Sequence, residues 1–192
     1  MLVFVYRTNL LSATRMKHVF TSATVAFALA LCALMSCQQE KEKASKEIVS
    51  PTKPKAVVDS LMEGDILFQI STSGQGKAIQ LATNSSYSHC GILFRDNNEW
   101  MVFEGVQPVK KTTLDEWIAQ GVKQHVVVKR LKNAQVVLTP QVKNHMKATA
   151  TKFIGKNYDL TFTWNDDRMY CSELVYKIYK RGAGIAVGKL QK

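Results

Sequence analysis

The chain has 192 residues, 46% of them hydrophobic and 21% charged, with a formal net charge of +11. That length and mixture exclude a disordered chain and an assembly of several domains, and leave room for one domain with a real core. The positive excess suits an anionic neighbourhood such as cell-wall polymer or lipid head groups. Nucleic acid is not expected, because no recognition motif and no aromatic interleaving accompany the charge.

At the amino terminus, Met16-Lys17-His18 precedes an apolar run from Val19 to Met35 that ends in Leu34-Met35-Ser36-Cys37. A charged start, an apolar stretch and small residues at its close read as a secretory leader over residues 1–36. Met16 is the better start for such a leader, since Met1 to Arg15 have no role in it. The last four residues resemble a bacterial lipoprotein lipobox, which implies that Cys37 is acylated and becomes the first residue. An uncleaved transmembrane anchor is the alternative, although 17 apolar residues are marginal for spanning. Gln38 rather than Asp after the cysteine resembles the pattern of lipoproteins released to the outer membrane, so the expected location is the cell envelope, lipid-anchored, outer rather than inner.

Residues 37–60 change abruptly to mixed charges, with Pro51 and Pro54. Such a segment cannot bury a core and reads as a mobile tether. Three basic residues fall in 1–36, and the tether carries five basic and four acidic, so +7 of the net charge belongs to residues 61–192.

Within that domain, Asp65 reads either as the turn residue before a strand Ile66 to Ile70, the favoured reading, or as a group that supports functional side chains from behind, and Lys77 to Thr83 reads as a short helix. Ser88 to Phe94, the polar Arg95-Asp96-Asn97-Asn98 and Glu99 to Glu104 read as a β-hairpin. Thr113 caps a helix that continues through Trp117. Gln124 to Leu131 and Gln135 to Leu138 read as strands. Thr139-Pro140 opens a helix that places Val142, Met146, Ala150 and Phe153 on one face and closes at Gly155. Tyr158 to Trp164 is the last expected strand, followed by an amphipathic helix that buries Leu174, Val175, Ile178 and Tyr179. Strands that cluster in hairpins rather than alternating with helices imply an α+β fold, an antiparallel sheet with helices packed on it.

Cys171 falls at the start of that last helix. Unpaired N–H groups and the macrodipole there favour an anion by roughly 0.3–1 kcal/mol. A catalytic thiolate needs more, and an imidazolium about 4 Å away supplies ~4 kcal/mol at a surface-like dielectric. His89 is the expected source. If Asp96 and Asn97 are the central residues of the hairpin, His89 faces Glu104 on one side of the sheet, and a carboxylate there fixes the imidazole's orientation. The expected triad is therefore Cys171 as nucleophile, His89 as general base and Glu104 as orienter. Taken singly, a buried cysteine or a hydrogen-bonded strand histidine is unremarkable, and the three together carry the expectation. Cys90 is the rival nucleophile. Strand alternation turns it away from His89 into the core, which also argues against a Cys90–Cys171 disulfide. His18 lies in the leader, while His125 and His145 lack comparable surroundings. No metal spacing is present, and acyl transfer by such a triad needs no cofactor.

The order His, acidic residue, Cys resembles the YiiX-like permuted papain-like amidases. It is set among Gly64-Asp65-Ile66-Leu67-Phe68, Ser88-His89-Cys90-Gly91-Ile92 and Tyr170-Cys171-Ser172-Glu173-Leu174-Val175. The likeness runs from about Leu61 to the end. It implies a circularly permuted papain-like (NlpC-type) fold and a cysteine amidase or peptidase acting on an amide or ester bond. A cell-wall peptide or a lipid or amino-acid conjugate is the implied substrate. A lipid-directed acyltransferase or deacylase and an inactive envelope binding protein are the alternatives; a monomer is expected. Gly155-Lys156-Asn157-Tyr158-Asp159 resembles the family's Gly-x-x-Tyr-Asp segment, so Tyr158 either lines the cleft and donates to an oxyanion, or is a half-buried strand tyrosine. Family members usually continue past the nucleophile helix, so the resemblance implies a domain truncated soon after Gly188.

Overall fold

The computed structural model describes residues 60–189 and, for the backbone, residues 2–6. The expected leader beyond these, Cys37 and nearly all of the tether lie outside the described residues. Among the described residues, six strands form one antiparallel sheet. They are β1 (Leu2–Tyr6), β2 (Ile66–Ser71), β3 (His89–Asp96), β4 (Glu99–Glu104), β5 (Lys110–Thr113) and β6 (Gly121–Arg130), in the order β1-β6-β2-β3-β4-β5. Five residues at the start of the expected leader therefore add an edge strand, with Leu2 opposite Arg130 and Tyr6 opposite Val126.

The helices are α1 (Gly76–Thr83), α2 (Leu114–Ala119), α3 (Ala134–Val137), α4 (Pro140–Thr151) and α5 (Cys171–Ala183). Thr113 and Thr139 cap α2 and α4, their hydroxyls accepting from the backbone N–H of Glu116 and Val142 at 3.3 Å. The even-numbered side chains of β3, Cys90, Ile92 and Phe94, pack with Met146 and Ala150 of α4 and with Leu174, Val175 and Ile178 of α5. The alternate face, with Leu67, Leu93 and Val102, packs under Leu114 and Trp117 of α2. Period-two alternation thus gives each sheet face its own core, and the α+β expectation holds.

Two expected strands are not strands. Residues 135–138 lie mostly in α3, because Ala134 and Leu138, four apart, are both buried while Val136 between them is 76% exposed. That is a helical spacing, and the paired valines misled by their β propensity. Residues 158–164 contribute only to β7 (Asn157–Tyr158), which pairs in parallel with β8 (Arg168–Met169). The buried Asp159 carboxylate accepts from the N–H and hydroxyl of both Thr161 and Thr163, and these bonds curl the chain around it, with Phe162 at φ 54°. Local side-chain bonds of this kind compete successfully with a strand ladder. They also hold the Asp159 carboxyl well below its ordinary range, with its Thr161 and Thr163 hydrogen bonds outweighing desolvation.

Asp65 fulfils the turn role and adds an ion pair. Its carboxylate accepts from Met62 N–H at 2.9 Å and from two nitrogens of Arg130 at 2.6 Å each, and Arg130 also donates to Ser60 O. The Tyr179 hydroxyl donates to the carbonyl of neighbouring Gly64, tying α5 to the start of β2. Asp65 is fully buried, so removing it takes the carboxylate from a half-buried guanidinium that keeps its bond to Ser60 O. Asp65→Ala is expected to cost about 3 kcal/mol, read by urea unfolding. A loss under about 1 kcal/mol would show that the pair is not part of the fold's support.

Candidate active site

The hairpin between β3 and β4 turns one residue later than expected. Asn97 and Asn98 both take positive φ, 48° and 65°, the pairing that a two-residue hairpin turn of the right twist requires and that asparagine tolerates. Glu104 consequently pairs with Gly91, not with His89. Moving the turn by one residue displaces the partner by two, which preserves the face. His89 and Glu104 are diagonal neighbours on the same side, and His89 Nε2 meets Glu104 Oε2 at 2.7 Å.

Glu104 is fully buried. Burial pulls its carboxyl toward the neutral form, but hydrogen bonds from His89 and Thr112, with the charges of His89 and Lys110, hold it below its ordinary pKa. The Thr112 hydroxyl donates to Oε1 at 2.5 Å, so each carboxylate oxygen has a donor. Trp117 packs beside the imidazole, with ring centroids 5.9 Å apart. Nothing in the sequence around Thr112 marked it. It orients Glu104 only because β5 lies next to β4.

With Nε2 committed to Glu104, Nδ1 is the ring nitrogen left for the thiol. Burial works against an imidazolium at His89, yet hydrogen bonds to Cys171 and Glu104 and their negative charges raise its pKa to about 9. Cys171 moves the opposite way. A hydrogen bond from Cys90 overcomes burial, and the His89 hydrogen bond and charge add to it, so the Cys171 thiol lies well below its ordinary value. Cys90 is pushed up by the same hydrogen bond, by burial and by the Cys171 charge, and it remains a neutral donor.

Cys90 corrects the parity argument. It does face the core, away from the His89 side, but α5 lies on that core and carries Cys171 to it, so the two free thiols are neighbours. Alternation along β3 separates Cys90 from His89 and says nothing about an element packed over the sheet.

Cys171 is the first residue of α5, with Tyr170 as a cap that supplies no side-chain hydrogen bond. The chain after β4 comes so close that a Cβ on Gly105 would stand 2.8 Å from both Cys171 Cα and N. Any side chain at 105 would push the helix start off the sheet. Beside this contact lies a cleft of about 560 Å³, lined by His89, Gly105, Gln69, Tyr158 and Leu160 among others. Tyr158 is in this lining, and its phenol is raised above its ordinary pKa by burial and then by the Cys171 and Cys90 charges, so it stays protonated. Among the described residues no group of three or more His, Cys, Asp or Glu side chains is arranged to hold a metal ion.

A cysteine opening a helix, a largely buried imidazole, and a carboxylate 2.7 Å behind that imidazole, on an antiparallel sheet flanked by helices, make a papain-like arrangement. The chain belongs to the permuted papain-like amidase family YaeF/YiiX, C92, whose description matches residues 60–192. It is 49% identical over 129 residues to Uncharacterized protein YiiX of Escherichia coli (strain K12), covering 67% of this chain and 62% of that protein. The chain thus spans somewhat less than two thirds of that curated relative's length. It is also similar to the crystal structure of metalloprotein yiiX from Escherichia coli O157:H7, with a TM-score of 0.65 and 49% identity, covering 68% of this chain and 71% of that one.

His89 is shifted toward its protonated form and Cys171 toward its thiolate. Stability from the raised His89 is present below its unfolded pKa of ~6.5 and lost as pH rises through about 9; stability from the lowered Cys171 is present above its unfolded pKa and lost as pH falls through its folded one. Near neutrality the two slopes largely cancel, so titration of the ring itself is the better readout. NMR titration of His89 should give a pKa near 9, falling by at least about one unit in Cys171→Ala, where burial is opposed by Glu104 alone. An unchanged value in that variant would show that the thiolate is not its partner.

Proposed function

We propose that this protein is an envelope lipoprotein whose domain hydrolyses an amide or ester bond through Cys171, His89 and Glu104. The observation that carries the reading is the opposed displacement of the His89 and Cys171 pKa values beside an open cleft, with Glu104 fixed 2.7 Å from the far ring nitrogen. On this reading a thiolate and an imidazolium are present together at neutral pH. The Cys171 sulfur attacks the carbonyl carbon, the C–S bond forms, and the carbonyl electron pair moves to oxygen. The imidazolium gives its proton to the leaving nitrogen or oxygen as that bond breaks. His89, now neutral, takes a proton from water, whose oxygen attacks the thioester and returns the thiolate. Backbone N–H groups at the uncapped start of α5 and the protonated Tyr158 phenol serve the oxyanion, a contribution of ~3 kcal/mol per donor.

Cys171→Ala and His89→Ala should each abolish hydrolysis while the protein stays folded, and Glu104→Ala should weaken it less. Retained turnover in Cys171→Ala, measured against peptide amide and acyl ester panels, would sink the assignment. Thiolate formation is checked separately by the pH dependence of Cys171 alkylation, which should stay fast well below pH 8 and slow in His89→Ala.

A lipid-type substrate has its own support. Leu160 lines the cleft and is 64% exposed, and Phe162 and Trp164 on the same loop are 48% and 46% exposed, an apolar rim suited to an acyl chain. The lipobox-like Leu34-Met35-Ser36-Cys37 and the charge of the domain support anchoring at an anionic envelope surface. Cys37→Ser should release the protein from the membrane fraction, whereas unchanged membrane retention would favour an uncleaved anchor.

A further inference from the structure

Gln69 is a polar side chain in the middle of the sheet that no part of this chemistry uses. It lies on β2 directly opposite His89 on β3, so both side chains project from the same face of the sheet. Only 1% of Gln69 is exposed, its Oε1 is enclosed without a hydrogen-bond partner, and the residue lines the cleft beside His89. Room for the carboxamide is kept by the bare Gly121 on β6, where a Cβ would stand 2.4 Å from Oε1. A buried carboxamide oxygen without a partner costs stability, and an apolar residue of the same length would fill the position at no such cost. A group kept under that penalty at the edge of a cleft is explained by a partner that arrives with the substrate.

The rest of the lining narrows what that partner is. Apart from His89, the cleft walls are uncharged: hydroxyls from Ser71 and Ser88, the amides of Gln107 and Gln120, and apolar Ile79 and Leu160. Among the described residues no fixed cation lines the cleft to meet a carboxylate or phosphate, and no anion lines it to meet an amine. A carboxamide offers two N–H donors and one oxygen acceptor, the complement of another amide, which presents one of each. We infer that Gln69 is a substrate-binding residue whose side-chain amide pairs with an amide of the substrate next to the scissile carbonyl, and that the cleft takes an uncharged, peptide-like segment. This rests on the proposed Cys171–His89 site and selects amide over ester among its substrates.

The test compares two small uncharged thiol reagents on the purified full-length protein in detergent micelles, with labelling of Cys171 followed by peptide mass spectrometry. Iodoacetamide carries a carboxamide and methyl methanethiosulfonate does not. In Gln69→Met and Gln69→Ala the iodoacetamide rate at Cys171 should fall by about 5- to 10-fold, the scale of one neutral hydrogen bond, while the thiosulfonate rate is unchanged. Gln69→Met, which keeps the volume and removes the orphaned amide, should unfold at a temperature no lower than the unsubstituted protein. Equal slowing of both reagents would assign Gln69 to the Cys–His pair and overturn the inference, as would no slowing of either. If the unsubstituted protein labels with the pH dependence of an ordinary thiol for both reagents, the hydrolase site itself fails and this inference fails with it.

Discussion

A buried thiol and a largely buried imidazole whose pKa values are displaced in opposite directions, toward thiolate and imidazolium, set the terms for everything around them. Neither charge is tolerable alone at that depth, since desolvation opposes both the Cys171 thiolate and the His89 imidazolium. The two shifts go together because each charge favours the other, and because each is answered on its far side. Cys90 donates to the sulfur, and Glu104 receives the ring. Glu104 in turn is a buried carboxylate, kept ionised by His89 and by Thr112 from the next strand. The chain of compensation runs across three adjacent strands and one helix, and breaks if any of them shifts.

That dependence explains the rigid features nearby. Gly105 admits the start of α5 against the end of β4. Tyr179 and the Asp65–Arg130 pair tie α5, β2 and β6 together. Asp159 gathers Thr161 and Thr163 and so fixes the loop that carries Leu160 to the cleft. Glu173 and Lys177, four apart on α5 and both buried, pair at 2.7 Å, while Lys177 reaches Asp166 at 2.8 Å and anchors the segment leading to Cys171. These polar groups thus hold α5 or shape the approach to its first residue, in a low-dielectric setting where such networks carry more weight than in water. Gln69 Oε1, like Trp117 Nε1 and Glu173 Oε2, has no hydrogen-bond partner among the described residues.

The elements legible in the sequence were those whose signals are local. The Thr113 and Thr139 caps, Pro140 and the apolar spacing of α4 and α5 are read within one or two helical turns, and all were found where expected. Errors arose where a local signal was outvoted. Valines in 135–138 suggested a strand, but the buried spacing of Ala134 and Leu138 required a helical turn. The aromatic and β-branched run after Tyr158 suggested a strand, but the Asp159 carboxylate supplied a stronger local bond. The hairpin register was misplaced because Asp96-Asn97 and Asn97-Asn98 are both acceptable turn centres in sequence, and the second is the one found, with both asparagines at positive φ.

By itself the sequence determined which residues could do chemistry: a cysteine opening an amphipathic helix, and a histidine and a glutamate on strands of one hairpin whose side chains share a face under either turn. It did so because side-chain direction follows from periodicity, which is a local property of the backbone. Only the tertiary structure decided who stands behind those residues. Thr112 meets Glu104, Cys90 meets Cys171 despite pointing away from its own neighbour, and Gln69 comes to lie across from His89 with its oxygen unpaired. Those meetings are set by strand order and by how a helix crosses a sheet, contacts between residues tens of positions apart that no local pattern encodes.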